Sequence, residues 1–179
     1  MERGALELVR GETFEPLSAH DLSRDFVDVL EGVLPEGWST RRRDVWVDAS
    51  DGSPLPEQGF KIHVAAVPEN APTCLRLVAP ECVERGVRFK MAGDPTLLRL
   101  LNSKNYRRGH SGKFMTLYPR GQEQFEDLLA ALYRKTRDED VHGPYILSDR
   151  RYRDSRVLFY RYGGFKKIER LEVDGTTTA

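Results

Sequence analysis

Two stretches with a period of two, separated by a helical one, confine this chain to folds in which a helix links two strands. In GFKIHVA, Gly59 to Ala65, the apolar Phe60, Ile62 and Val64 alternate with Lys61 and His63. In VRFKM, Val87, Phe89 and Met91 alternate with Arg88 and Lys90. A strand sends successive side chains to opposite faces, so each stretch can bury one face and present basic groups on the other. Between them, Pro68 fits the first turn of a helix with the apolar stripe Leu75, Val78, Cys82 and Val83, and Gly86 ends it. Such a strand, helix, strand run resembles a crossover unit with two parallel strands. Lys61, His63, Arg88 and Lys90 are therefore expected as neighbours on one face.

The rest of the chain supplies further elements. Residues 1–17 show no clear period beyond a short edge strand at Leu6 to Val9. Leu22, Phe26, Val29, Leu30 and Val33 recur at helical spacing, which predicts a helix at about 20–33, stopped by Pro35 and Gly37. Val45 and Val47 alternate with Trp46 in a strand, with Arg41 to Arg43 as its solvated entry, and 51–59 is a loop by composition. Asp94 with Pro95 starts a short helix over Leu97 to Leu101. In KFMTLYP, Phe114, Thr116 and Tyr118 share one face of a strand. QEQFEDLLAALYRKT is an amphipathic helix with Phe125, Leu128, Leu129 and Leu132 inward. Tyr145 to Ser148 and Arg156 to Tyr162 read as strands, and DGTTTA as a frayed end. The expected architecture is α+β (mixed α/β): a single domain, 1–179, with a central twisted mixed β-sheet flanked by helices and with 1–17 and 166–179 peripheral.

At 179 residues the chain can bury a core without metal or disulfide support. Cys74 and Cys82 are eight apart on one helix, too far to bridge, and read as small buried apolar residues. The N-terminal residues show no signal peptide, no run is long and apolar enough to span a membrane, and a reducing cytoplasm is the expected compartment. Formal net charge is zero, with 28 basic and 28 acidic residues, which argues against nucleic acid or a membrane surface as a partner. Yet no acidic residue lies between Asp94 and Glu123, an interval holding Arg99, Lys104, Arg107, Arg108, Lys113 and Arg120. A neutral protein with one cationic interval suits a small or local anion better than a long polyanion.

Within that interval, GHSGK at 109–113 lacks the Walker pattern, because Arg107 stands where the distal Gly belongs and Phe114 where a Ser or Thr should follow. A nucleotide P-loop is excluded. The residues suit another anion site: Arg108 offers a planar fork for phosphate, Ser111 a hydroxyl, and the glycines close backbone approach.

GFKIHVAAVPENA, RGVRFKMAGDPTLLRLLNSKNYRRGHSGKFMTLYP, GPYILSDRRYR and FYRYGGF, in this order and spacing, resemble the N-terminal lyase domain of class III and class IV lanthipeptide synthetases. That domain is related to the bacterial effector phosphothreonine lyases. The resemblance is close over Gly59 to Phe165. It implies an effector-lyase-like fold and β-elimination of phosphate from phosphoserine or phosphothreonine in a precursor peptide, leaving dehydroalanine or dehydrobutyrine. By the same resemblance Lys90 matches the general base and His63 the general acid, while Lys61, Arg88, Arg108, Lys113, Tyr118 and Arg161 match residues that hold the phosphate and the site. Ser111, Asp149 and Arg150 belong to the shared motifs. Arg88 stands where the effector lyases carry a lysine, which keeps the charge and alters the hydrogen-bond geometry. No metal or organic cofactor is implied. The chain has neither a Gly-rich kinase loop nor an HRD loop, so it reads as either an excised lyase domain or a stand-alone version, dependent on a kinase in both cases, with the kinase and cyclase domains of a parent synthetase as the expected partners outside it.

An α-proton beside an amide is a weak acid, so its removal needs a base and stabilisation of the developing enolate. Lysine serves only when neutral, and clustered cations lower its reference pKa of about 10.4. A bound phosphate dianion acts in the opposite direction. Three readings compete with the lyase. A non-catalytic phosphopeptide-binding module would use the same cations. A phosphatase lacks a catalytic Cys or a metal site, and RNA binding through 104–113 lacks net charge and interleaved aromatics.

Overall fold

The computed structural model describes residues 23–103 and 109–165 in full and, as backbone only, the short strands at 7–10, 13–16, 170–171 and 177–178. The strands are β1 (Glu7–Arg10), β2 (Thr13–Pro16), β3 (Ser39–Arg43), β4 (Trp46–Ser50), β5 (Gln58–Val64), β6 (Phe89–Ala92), β7 (Met115–Leu117), β8 (Arg150–Arg151), β9 (Leu158–Gly164), β10 (Arg170–Leu171) and β11 (Thr177–Thr178). The helices are α1 (Asp25–Val33), α2 (Ala71–Glu84), α3 (Pro95–Asn102) and α4 (Gln122–Thr136). Seven strands form the main sheet in the order β3-β4-β6-β7-β5-β9-β8, while β1-β2 and β10-β11 are separate antiparallel pairs.

Local chemistry sets the boundaries of these elements. The Asp94 carboxylate accepts from the Leu97 amide at 2.7 Å and caps α3, with Pro95 in the first turn. α4 spans the run expected for it and buries Phe125, Leu128, Leu129 and Leu132. Phe125 stacks on Phe60 of β5 at 4.5 Å and lies 5.5 Å from Tyr160 of β9, so α4 covers the apolar parity of both strands. α2 packs between α1 and α4. Gly86 closes α2 at φ +60°, a conformation that favours glycine. Cys74 and Cys82 are free thiols buried in α2, and burial pushes the Cys74 thiol up to about 12.

Several expectations change. Every ladder in the main sheet is antiparallel, so the sheet is not mixed. β5 and β6 run in the same direction but are not neighbours, because β7 lies between them. A crossover connection fixes the relative direction of two strands and leaves room for a later strand to insert. Arg41–Arg43 belong to a paired strand of exposed residues in a β3-β4 hairpin that turns at Asp44 (φ 50°). Pro68 lies in a turn before α2, and Pro72 takes the first-turn position. The Asn70 side chain is spent on the 140–142 segment, accepting from the His142 amide and donating to the Asp140 carbonyl. Part of the expected frayed end pairs, Thr177–Thr178 against Arg170–Leu171. The start of α1 expected at 20–22 and the edge residue Leu6 lie outside the described residues.

Tyr145 to Ser148 form no strand. This segment crosses the face of the sheet opposite the helices, with Ile146 buried against Ala65 and Phe159. It starts at Gly143, where a Cβ would lie 2.5 Å from the backbone of Ala65 and Ala66. Gly143→Ala should therefore lower unfolding stability by about 3 kcal/mol through overpacking against main chain that has nowhere to move. Chemical denaturation of the variant measures this, and an unchanged midpoint would mean that the crossing segment yields freely.

Candidate functional site

The register explains how one face of the sheet becomes basic. His63 of β5 and Lys90 of β6 both pair with Thr116 of β7, from opposite sides. Asp48 of β4 pairs with Lys90 beyond that, and Arg41 of β3 with Asp48. Strands lie about 4.8 Å apart, so the His63 and Lys90 backbones are separated by roughly 10 Å with the small Thr116 between them. Two residues along the strands runs a second row. Lys61 pairs with Arg161 of β9, and the Tyr118 amide, one residue beyond β7, donates to the Arg88 carbonyl. The sequence-predicted residues Lys61, His63, Arg88, Lys90, Tyr118 and Arg161 therefore share one face.

Lys113 and Asp149 reach that face from its covering segments. Lys113 is 2% exposed and donates to the Gly109 carbonyl at 2.6 Å. The Asp149 side chain is fully buried; its Oδ2 takes the His63 Nδ1 contact and its Oδ1 accepts from Ser148 Oγ at 2.8 Å. Lys113 Nζ lies 3.9 Å and Arg161 Nε 3.7 Å from Asp149 Oδ1. Ser111 is half-buried in the turn before Gly112, whose φ of +76° places it against Pro144 and Ile146 of the crossing segment. Arg150 pairs with Tyr160, a register position on the helix-covered parity, so it is not part of the basic face. Arg108 lies outside the described residues.

Charge crowding and burial shift these groups. Burial brings Lys90 down to about 8, with Asp48 opposing and Lys61 adding to the shift. Its ammonium stands 4.3 Å from the centre of the Trp46 ring, a nearly buried wall on β4. Burial brings Lys113 to about 8 as well, against the pull of Asp149. Lys61 is lowered by burial and by Arg161, and its ammonium stands beside the rings of Tyr118 at 6.0 Å and Phe165 at 5.8 Å. Burial pushes His63 down to about 4, with the Asp149 hydrogen bond opposing. For Asp149 burial acts upward, but the His63 hydrogen bond and the Lys113 charge hold it below the ordinary carboxylate value. An ionised Asp149 beside a neutral imidazole fixes the proton on Nδ1 and leaves Nε2 with its lone pair.

Among the described residues the Nε atoms of Arg88 and Arg161 are buried without a hydrogen-bond partner. Orphaned donors on a crowded cationic face are what an anionic ligand would satisfy. Sequence reasoning passed over Trp46 and Asp48. Both sit on the basic parity of β4, which the register alone reveals. Asp149 was singled out only through a shared motif, and nothing local tied it to His63, 86 residues away.

Residues 27–179 match the family described as RamC, N-terminal domain. A curated protein of Streptomyces coelicolor, "Probable SapB synthase", is 39% identical over 143 residues, covering 79% of this chain and 15% of that protein. The chain thus spans a small part of the length of that relative. Among solved structures, the phosphothreonine lyase OspF of Shigella flexneri superposes with a TM-score of 0.57 at 20% identity, covering 76% of this chain and 74% of that one. SpvC of Salmonella, also a phosphothreonine lyase, gives 0.56 at 18% identity, covering 81% and 82%. The chain therefore has the fold of these lyases.

In the free protein His63 should remain neutral down to about pH 4 to 5 and carry its proton on Nδ1. Nitrogen-15 NMR of the imidazole across pH 3 to 8 reads both; a His63 that titrates near 6.5 would mean that the buried pair with Asp149 does not form in solution. Because its folded pKa lies below the unfolded value, the unfolded state binds the extra proton between about 6.5 and about 4. Stability should then fall as pH drops through that window, by on the order of 3 kcal/mol. His63→Gln should remove that contribution from the stability curve.

Proposed function

The chain belongs to the family of the RamC N-terminal domain, and from that premise we propose that it is a phosphoserine/phosphothreonine lyase acting on a phosphorylated precursor peptide in lanthipeptide biosynthesis. The observation that carries this reading is the placement of Lys90 and His63 on either side of Thr116, with two guanidinium Nε atoms on the same face that lack a hydrogen-bond partner among the described residues. An elimination needs a base and an acid on two sides of one substrate unit, together with a clamp for the leaving group.

In this mechanism neutral Lys90 takes the α-proton through Nζ. The Cα–H electrons form the Cα–Cβ double bond, the Cβ–O bond breaks, and the leaving phosphate oxygen takes a proton from His63 Nε2. Lys61, Arg88, Arg161, Lys113 and Tyr118 would hold the phosphate, with Arg108 joining them. Asp149 orients the imidazole and stabilises its protonated form, a positioning task in which it never touches the substrate. Ser148 and the Lys113 ammonium hold Asp149 in turn. The whole of 1–179 is read as one lyase domain that works in a cytoplasmic setting without metal or organic cofactor. A kinase domain would supply its phosphopeptide and a cyclase domain would consume its product.

The free-enzyme values place one proton on the His63 and Lys90 pair between about 4 and about 8, and it resides on Lys90. The reactive form has the same proton on His63, drawn there by the incoming phosphate dianion. It follows that kcat/KM should fall above about pH 8, when the pair loses that shared proton. A rate that instead climbs through pH 8 to a plateau would mean that Lys90 acts without a donor. Asp48→Asn, which removes the charge that raises Lys90, should move this limb to lower pH.

Mass spectrometry of a phosphoserine peptide incubated with the protein decides the reaction class. Loss of phosphoric acid, leaving a product one water lighter than the unphosphorylated peptide, is expected. An unchanged mass with retained binding would favour a phosphopeptide-binding module, and plain serine a phosphatase. Lys90→Arg keeps the charge yet cannot deprotonate, so turnover should drop by roughly 10³-fold while phosphopeptide binding persists. His63→Gln should lose a similar factor.

A further inference from the structure

A groove of about 540 Å³ opens beside the phosphate row, lined by Arg43, Ser53, Pro54, Leu55, Arg88 and Phe165. Phe165 forms the wall it shares with that row: the ring stands 5.8 Å from Lys61 Nζ and 5.3 Å from the Tyr118 ring, and its para carbon would meet a Cβ on Gly59 at 2.8 Å. Only a glycine at 59 leaves the ring this position. Arg88 belongs to both sides of the wall, since its carbonyl accepts from the Tyr118 amide and the same residue lines the groove.

The charge of this groove is not balanced from within. Arg43 is exposed and lies 3.7 Å from Asp48, an ion pair too long to consume its guanidinium. Arg88 Nε is buried and lacks a hydrogen-bond partner among the described residues. Two arginines facing one cleft, one with an orphaned donor, call for an anionic group with planar or tetrahedral oxygens. Arg88 and Lys90 are two residues apart on one strand, about 7 Å, which is also the spacing of side chains on one side of an extended peptide.

Resting on the lyase reading above, we propose that the Arg43 and Arg88 groove is a specificity subsite for an anionic side chain, lying one or two residues from the phosphorylated Ser or Thr of the substrate peptide. Carboxylate and a second phosphate share the required chemistry. The site makes the enzyme selective for acidic or multiply phosphorylated stretches, and the contact acts on substrate binding more than on the chemical step.

The test is a matched set of phosphoserine peptides with Gln, Glu or a second phosphoserine at each position from two before to two after the target. Wild type should bind the best Glu or phosphoserine peptide about tenfold more tightly than its Gln counterpart by fluorescence anisotropy, with the same preference in kcat/KM carried by KM. Arg43→Ala should reduce this preference below about twofold and leave the Gln peptide within twofold of wild type. Leu55→Glu, a charge placed in the groove, should invert it. A stronger response to phosphoserine than to Glu assigns the groove to phosphate, and the reverse assigns it to carboxylate. Equal binding of all peptides at every position, or a preference that survives both variants, overturns the subsite. Selective binding without elimination from any peptide overturns the lyase reading and leaves the subsite standing.

Discussion

The buried carboxylate of Asp149 is the negative charge around which the cationic face is assembled. It meets His63 directly, takes the Ser148 hydroxyl, and has the Lys113 and Arg161 cations within 4 Å. Without it, two basic side chains and an imidazole would face one another in a desolvated layer, and mutual repulsion would favour a different packing. One carboxylate does not neutralise them all. The residual positive charge, with the Nε atoms of Arg88 and Arg161 lacking a hydrogen-bond partner among the described residues, suits the face to an anion.

The same crowding tunes the chemistry. Burial, opposed by Asp48 and aided by Lys61, brings Lys90 to about 8, within reach of deprotonation at neutral pH, while burial strips His63 of its proton in the free state. In the proposed reaction, a phosphate dianion arriving between them would reverse both tendencies. In the proposed elimination, substrate binding and the creation of the acid form would then be one event, because the two titratable groups stand on opposite flanks of a single strand. The rigidity this requires comes from the other face, where Phe60, Phe125 and Tyr160 interlock α4 with β5 and β9 and fix the register.

Much of this was legible in the residues. The alternation in GFKIHVA and VRFKM identifies β5 and β6 and which side chains share their polar parity, and α4 and the Asp94 cap of α3 follow from periodicity and capping chemistry. The crossing segment was not legible. Tyr145 to Leu147 form a short apolar run that reads as a strand, yet Ile146 is the anchored residue and Leu147 is almost wholly exposed. A chain passing over a sheet meets a different burial pattern from one pairing at its edge. Arg150 shows the same limit, since sharing a motif with Asp149 does not put it on the same face.

The sequence by itself determined the parity of each strand, because the two-residue period is a property of the backbone that needs no partner. It also determined that the cations outnumber the anions in the middle of the chain. Only the tertiary structure decided that β7 lies between β5 and β6, which turns His63 and Lys90 from expected neighbours into groups that face each other across Thr116. It likewise decided that Asp149 pairs with His63 across 86 residues of chain. Strand order and long-range pairing are set by how all the apolar faces can be buried at once, and that global condition is not contained in any local pattern.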